Sequence, residues 1–420
     1  VNPSILGSTG MDTTAVLLAT CLASFIGTMC MGLFANLPFA LSAGMGLNAF
    51  FAYTVVGNMG YSWKIALLAV FIEGIIFLIL SATNVREALF NVIPMSLKQA
   101  VSVGIGVYIA FIGLQNAGVV VNHDSTLVTI VSFTENFRTT GICALLAIIG
   151  IIITAVLYVK NVKGFMLIGI FATWILGIIC QLTGLYLVDA QAGSVSLIPS
   201  FEMTDFSKLG KTFGECFNVD FDGVSIINFI VVIFSFLFVD IFDTLGTLIG
   251  VCTKADMLDK DGKLPAIKPA LLADSVATTA GAVLGTSTTT TFVESSAGVA
   301  AGGRTGLSAV VTAVMFLISM LFAPIFIAIP SFATAPALVI CGFLMFSSIT
   351  QIKFTEGNYL KAIPAYLCIL AMPLFYSISE GISIGIISYV LLHLICGKGR
   401  EVKPLMYVLA VLFILKYIFL

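Results

Sequence analysis

Five carboxylic acids lie inside long apolar segments of the sequence: Glu73, Asp240, Asp243, Asp274 and Glu294. No Lys, Arg or His occupies a segment interior to neutralise them. An ionised carboxylate deep in an apolar medium costs about 2.5–3.5 kcal/mol on insertion scales. Protonating it at pH 7 costs about 3.7–4.2 kcal/mol, from ordinary pKa values near 4. The two costs are comparable, so a neighbour or a bound molecule can tip the equilibrium. Such groups are suited to taking up and releasing a proton. Glu73 stands alone in an unbroken apolar stretch and reads as bonding a neighbouring helix. Asp274 admits either a structural or a functional role. Glu294 falls where a helix is expected to break, and there the functional reading is favoured.

Two segments look built to expose backbone. Pro38–Tyr53 (PFALSAGMGLNAFFAY) puts Pro and small residues ahead of Gly44 and Gly46, and Gly285–Gly298 (GTSTTTTFVESSAG) carries a Ser/Thr run ill-suited to a lipid-facing helix. Each is predicted to form a short extended strand followed by a half-helix, whose N-terminus offers free N–H groups and the positive dipole end. Broken helices of this kind line polar cavities near the bilayer midplane. Aligning the two segments sets Asn48 opposite Glu294.

The elements that position these residues follow from composition. Of 420 residues, 59% are hydrophobic and only 10% charged, against about 25% charged in soluble domains. The expected fold is an all-α polytopic membrane protein. Spans are read at Thr14–Ala35, Pro38–Val56 (broken), Lys64–Ala82, Leu97–Leu114, Gly141–Val159 and Gly164–Leu182. After a polar stretch, Tyr186–Gly223, come Val224–Val251, Ala266–Leu284, Gly285–Gly302 (broken), Leu307–Ile329, Ala335–Ile349, Ala362–Ser377 and Gly381–Cys396. An apolar tail runs from Pro404 to Leu420. With Val1 outside, the thirteen spans leave fourteen basic residues in inside loops: Arg86, Lys98, Lys160, Lys163, Lys254, Lys260, Lys263, Lys268, Arg304, Lys353, Lys361, Lys398, Arg400 and Lys403. Four lie outside, namely Lys64, Arg138, Lys208 and Lys211. That bias predicts a multi-pass protein of the cell membrane with a cytoplasmic C-terminus. The odd count also implies one further helix upstream of Val1, so the first helix is expected to be missing here.

Internal repeats support a duplicated unit. Leu17-Leu18-Ala19-Thr20 with Ala23 and Gly27 matches Leu271-Leu272-Ala273-Asp274 with Ala277 and Gly281. Gly57-x-x-Gly60-x-Ser62 matches Gly303-x-x-Gly306-x-Ser308, and Ile168-Gly169-Ile170 matches Ile384-Gly385-Ile386. Halves of seven helices have odd parity and must insert in opposite senses, an inverted repeat. The expected organisation is a first repeat over 1–182, a polar extracellular connection over 183–223, a second repeat over 224–396 and an apolar tail over 397–420.

Other chemistries are poorly supported. A net charge of −2 gives no basic face for nucleic acid. The nine Cys are scattered singly, as buried apolar residues are, so no metal is expected. Asp243-Thr244-Leu245-Gly246-Thr247 lacks the Lys of a phosphorylated-Asp motif, and Gly210-Lys211-Thr212 lacks the upstream Gly of a P-loop. Neither HExxH nor GxSxG occurs, and His123 and His393 are far apart. No cofactor is expected, and a membrane-embedded enzyme is a remote alternative.

At these residues the sequence resembles the adenine/guanine/hypoxanthine permeases, a branch of the nucleobase (xanthine/uracil-type) transporter family. The motifs are Asn36-Leu37-Pro38 with Gly44-Met45-Gly46-Leu47-Asn48-Ala49-Phe50-Phe51, then Phe242-Asp243-Thr244-Leu245-Gly246-Thr247. Thr290-Thr291-Phe292-Val293-Glu294-Ser295-Ser296-Ala297-Gly298 completes the set, and Val1-Asn2-Pro3-Ser4-Ile5-Leu6 resembles the stretch after that family's first helix. The resemblance covers essentially the whole chain. It implies two inverted seven-helix halves arranged as core and gate domains, and proton symport of a purine nucleobase across the bilayer. By similarity, substrate binding falls to Glu294, Asp243 and Asn48, with Thr290, Thr291, Ser295 and Phe50 around them; proton coupling falls to Asp243, Asp240 and Glu294. Uracil permeases carry a His four residues after the acid at position 243, where this chain has Thr247, which moves proton handling toward carboxylates. The competing reading is an anion carrier of the same architecture, in which an acid at the half-helix is not expected. Homodimerisation is left open by the sequence.

Overall fold

The computed structural model describes residues 2–83, 85–188, 195–199, 203–221, 226–355 and 357–419. The start of the span expected at Val224 and part of the 186–223 connection lie outside them. Through its first half the chain forms α1 (Asn2–Gly7), α2 (Thr13–Cys30), β1 (Leu41–Ala43), α3 (Met45–Ala49), α4 (Trp63–Ala82), α5 (Val85–Val92) and α6 (Met95–Asn116). A hairpin of β2 (Val120–His123) and β3 (Leu127–Ile130) leads to α7 (Ile142–Val159) and α8 (Phe165–Leu182). The second half holds α9 (Ile226–Ala255), α10 (Ile267–Leu284), β4 (Thr289–Thr291), α11 (Ser295–Ala300), α12 (Gly306–Leu321) and α13 (Ala323–Ile327). It ends with α14 (Ser331–Phe346), α15 (Tyr359–Leu374), α16 (Ile378–Ile395) and α17 (Pro404–Phe419).

Among the described residues nine helices are long and apolar enough to cross a membrane. Both expected strand-plus-half-helix segments are present, as β1–α3 and β4–α11. Each expected span has its counterpart, with one difference: the Leu307–Ile329 span is interrupted at Phe322, where α12 gives way to α13. Pro324 cannot continue the first helix without losing a backbone donor. The β2–β3 hairpin, paired from Val120↔Ile130 to His123↔Leu127, was not foreseen.

Two compact units form. One comprises Val1–Ile105, Asp205–Leu321 and Ser348–Leu420, and the other Gly106–Thr204 and Phe322–Ser347. The second unit packs α14 against α7 and α8 around Trp174, Leu197 and Phe332, with the Trp174 indole donating to the Leu197 carbonyl at 2.9 Å. The first unit holds all five acids. Its core gathers Leu47, Phe51, Val55, Val70 and Phe236.

Within the first unit, repeat-matched segments meet. Helix α2 packs on α10, and β1 pairs antiparallel with β4 in the register Leu41↔Thr291, Ser42↔Thr290, Ala43↔Thr289. These strands are buried, so their outward-facing groups need partners. Hydroxyls supply them: Thr28 accepts from Leu41 N at 2.9 Å, Ser24 donates to Ser42 at 2.7 Å, and Thr278 donates to the Thr289 carbonyl at 2.9 Å. Ser24 and Thr278 each follow the matched Ala23 and Ala277. Close backbone approach explains a matched glycine too, since a Cβ on Gly306 would lie 2.0 Å from the Gly32 carbonyl oxygen.

Two cations counted as loop residues are buried instead. Lys98 is 2% exposed on α6, donates to the Gly262 carbonyl at 2.5 Å and lies 4.2 Å from the Phe90 ring centroid. Arg86, on α5, is fully buried.

Candidate functional site

The five acids separate into two sets. Asp243 and Glu294 are partly exposed and make no ion pair among the described residues. The pairs there are Lys64–Glu215, Arg86–Asp274, Lys211–Asp12 and Lys416–Glu380. Glu294 stands at the N-cap of α11, just past β4, and α11 packs on α9, which carries Asp243. Asp243 reaches toward the other half-helix: a Cβ on Gly46 would be 3.9 Å from its Oδ2. Two free carboxyls beside the two half-helices can accept hydrogen bonds from a polar solute.

Glu73, Asp240 and Asp274 are completely buried. Arg86 donates to Asp274 at 2.8 Å, to Ser275 Oγ at 3.0 Å and to the Leu271 carbonyl at 3.3 Å, with its guanidinium 4.1 Å from the Phe77 ring centroid. The Thr244 hydroxyl faces Asp240 at 3.1 Å and Asp274 at 3.2 Å. Thr288 donates to Glu73 Oε2 at 3.0 Å. The Thr291 backbone N–H, turned away from β1, donates to Asp274. The buried acids are therefore tied to β4 through Thr291 and to the residue just before it, Thr288.

This network corrects the expectation that the acids have no cation beside them. The cation comes from a short connecting helix rather than a span, so a search confined to span interiors missed it. A signal was available, because Val85–Val92 carries its charges among apolar residues that turn inward at Phe90 and Val92. Thr244 and Thr288 were also missed as partners of the acids, because Asp274 and Glu73 lie 30 and 215 positions from them.

The remaining expected site residues have definite surroundings. Asn48 is fully buried on α3; its Oδ1 accepts from the Ser287 hydroxyl and its Nδ2 has no partner among the described residues. Thr290 and Thr291 lie in β4, opposite Ser42 and Leu41, and Thr291 Oγ1 has no partner among the described residues. Ser295 accepts from Ala40 N at 2.9 Å, closing the end of the β1–β4 pair. Phe50 meets Phe236 edge-on, with centroids 4.9 Å apart.

Comparison with known proteins is in keeping with this arrangement. The model of the permease family matches residues 1–384. A putative permease of Methanocaldococcus jannaschii, MJ0326, is 46% identical over 420 residues, covering 100% of this chain and 91% of that protein. The guanine/hypoxanthine permease PbuO of Bacillus subtilis is 45% identical, over 99% and 92% of the two chains. The adenine permease AdeP of Escherichia coli is 40% identical, over 100% and 89%. Among solved structures, the transmembrane domain of the cyanobacterial bicarbonate transporter BicA aligns with a TM-score of 0.57 at 14% identity, over 91% of this chain and 93% of that one; at that identity the likeness is one of fold. With a family match over most of its length and relatives that are permeases rather than enzymes, this multi-pass membrane protein belongs to the permease family.

Proposed function

We propose that the chain is a secondary active transporter that imports purine nucleobases, namely adenine, guanine or hypoxanthine, across the cell membrane by proton symport. The observation that carries this reading is Glu294. It is a partly exposed carboxyl without an ion partner at the start of a half-helix, in a chain 40–45% identical to proteins named adenine and guanine/hypoxanthine permeases. A carboxylate accepts two hydrogen bonds and can meet adjacent N–H donors on a purine edge. Asp243, beside Gly46, binds substrate or couples the proton; Asp240 serves coupling; and Asn48, Thr290, Thr291, Ser295 and Phe50 shape the site. The antiparallel β1–β4 pair supports two inverted halves. Transport then proceeds by alternating access between a core domain that bears the site and a gate domain, with the C-terminus in the cytoplasm. An anion carrier fits less well, because Glu294 would repel its substrate.

The test is uptake into cells or proteoliposomes of labelled adenine, guanine, hypoxanthine and uracil, with and without an uncoupler. Saturable uptake of at least one purine that collapses with the uncoupler is expected. Uptake of uracil alone, or purine accumulation that survives the uncoupler, contradicts the reading.

A further inference from the structure

Two buried carboxyl oxygens have no hydrogen-bond partner among the described residues: Glu73 Oε1 and Asp240 Oδ2. Both side chains are fully buried, and the two carboxyls stand within hydrogen-bonding reach of each other. Their surroundings are already committed. Glu73 Oε2 is held by Thr288, Asp240 Oδ1 by Thr244, and Arg86 by Asp274. The charged groups facing the pair are Arg86 from α5 and Asp274 from α10. Asp243, one turn further along α9, and Glu294 at α11 are the other acids on neighbouring elements, and both belong to the substrate site.

Ionised carboxylates have only acceptors. Two of them face to face, sharing one cation with a third acid, repel in a dry environment; one proton between them turns an acceptor into a donor and removes the conflict. We propose that Glu73 and Asp240 form a carboxyl–carboxylate pair holding one shared proton, and that this is the proton the transport cycle moves. The inference rests on the proton-symport reading above. In the step itself, one carboxylate takes a proton from a hydronium ion, forming an O–H bond and leaving water. The reverse step returns the proton to water on the other side, and no electrons change hands.

The pair is placed to sense the substrate site. Thr288 holds Glu73 with its hydroxyl, while its carbonyl accepts from Gly44 N at 3.3 Å at the head of α3. Thr244 touches Asp240 and directly follows Asp243 in α9. A shift at the head of α3, or in α9 at Asp243, therefore reaches the pair through a single residue.

The experiment compares wild-type protein, Glu73→Gln and Glu73→Asp in proteoliposomes. It measures protons moved per purine, accumulation driven by a pH gradient, and purine exchange at equal concentrations on both sides. In Glu73→Gln, exchange is expected to persist while proton movement with purine is lost. Gradient-driven accumulation should fall by about 5- to 150-fold, the usual range of coupling between two sites. Glu73→Asp is expected to restore part of it. A purely structural role would lower exchange and accumulation together, and that result overturns the proposal. Infrared spectroscopy of the purified protein guards against a variant that does not fold. The wild type is expected to show a protonated-carboxyl band at neutral pH that responds to purine, and its absence overturns the proposal too. If Glu73→Gln moves protons with purine as the wild type does, the pair is not the carrier, though symport stands. If the wild type itself moves no proton with purine, symport fails and the pair with it.

Discussion

Replacing Arg86 with Gln tests the buried network at the one cation it holds among the described residues. Arg86 is completely enclosed, paired with Asp274 at 2.8 Å, hydrogen-bonded to Ser275 and the Leu271 carbonyl, and packed over Phe77. The substitution leaves Asp274 with the Thr244 hydroxyl and the Thr291 N–H but no counter-charge. Breaking a buried pair by removing one partner costs about 3–5 kcal/mol, and the cation–π contact adds about 0.5–2 kcal/mol within that loss. An exposed pair such as Lys211–Asp12 is worth at most about 1 kcal/mol, which sets the contrast. The assay is equilibrium unfolding of the detergent-solubilised protein for wild type, Arg86→Gln, Asp274→Asn and the double variant. Arg86→Gln should lose several kcal/mol. The double variant, with no charge stranded, should lose less than the sum of the singles by about 0.5–3 kcal/mol. An Arg86→Gln protein within about 1 kcal/mol of wild type, or strictly additive losses, refutes the reasoning.

Three further outcomes follow from the same structure. Gly74→Ala should destabilise by about 1–3 kcal/mol, because its Cβ would fall 2.5 Å from Thr279 Oγ1 and 2.9 Å from Thr279 N on α10; an unchanged unfolding midpoint contradicts that packing. At the surface, the hydrogen bond from Lys211 holds Asp12 below the ordinary carboxylate range, and that from Lys64 does the same for Glu215. A depressed pKa gives stability that is present above about pH 4 and lost as pH falls through the folded values. The small gap between wild type and Lys211→Ala should therefore hold from neutral pH down to about pH 5 and close below about pH 4; closure above pH 5 contradicts it. Orientation is checked in a cysteine-free background with an impermeant reagent added outside: a Cys at Ser207 should react and one at Asp261 should not, and the reverse pattern overturns the assignment.

Much of the fold was legible because the bilayer forces it into the sequence. A span needs an uninterrupted apolar run, and a broken span betrays itself by Pro, Gly and hydroxyl residues, as at Pro38–Gly46 and Gly285–Thr291. The repeat sets the two breaks at matching positions; that their strands also pair with each other, as β1 and β4, was not legible there. What the sequence left hidden is long-range partnership among side chains. Thr288 and Glu73 are separated by 215 positions, and Arg86 and Asp274 by 188; no local pattern links them. Glu73 reads as a helix-bonding residue because it stands alone in an unbroken apolar stretch; its donor, Thr288, lies between α10 and β4 rather than on a helix. Arg86 and Lys98 were counted by charge as loop cations because burial is invisible to a count.

The central claim, that a purine nucleobase is held at Glu294, is tested most directly by equilibrium binding of adenine, guanine and hypoxanthine to the purified wild type and to Glu294→Gln. Gln replaces one acceptor oxygen with a donor amide facing a donor, at a cost of about 2–4 kcal/mol or roughly 30- to 1000-fold in affinity. Saturable binding of at least one purine to the wild type, weakened by that factor in Glu294→Gln, is the predicted result; binding unchanged in Glu294→Gln, or no purine bound by the wild type, contradicts it.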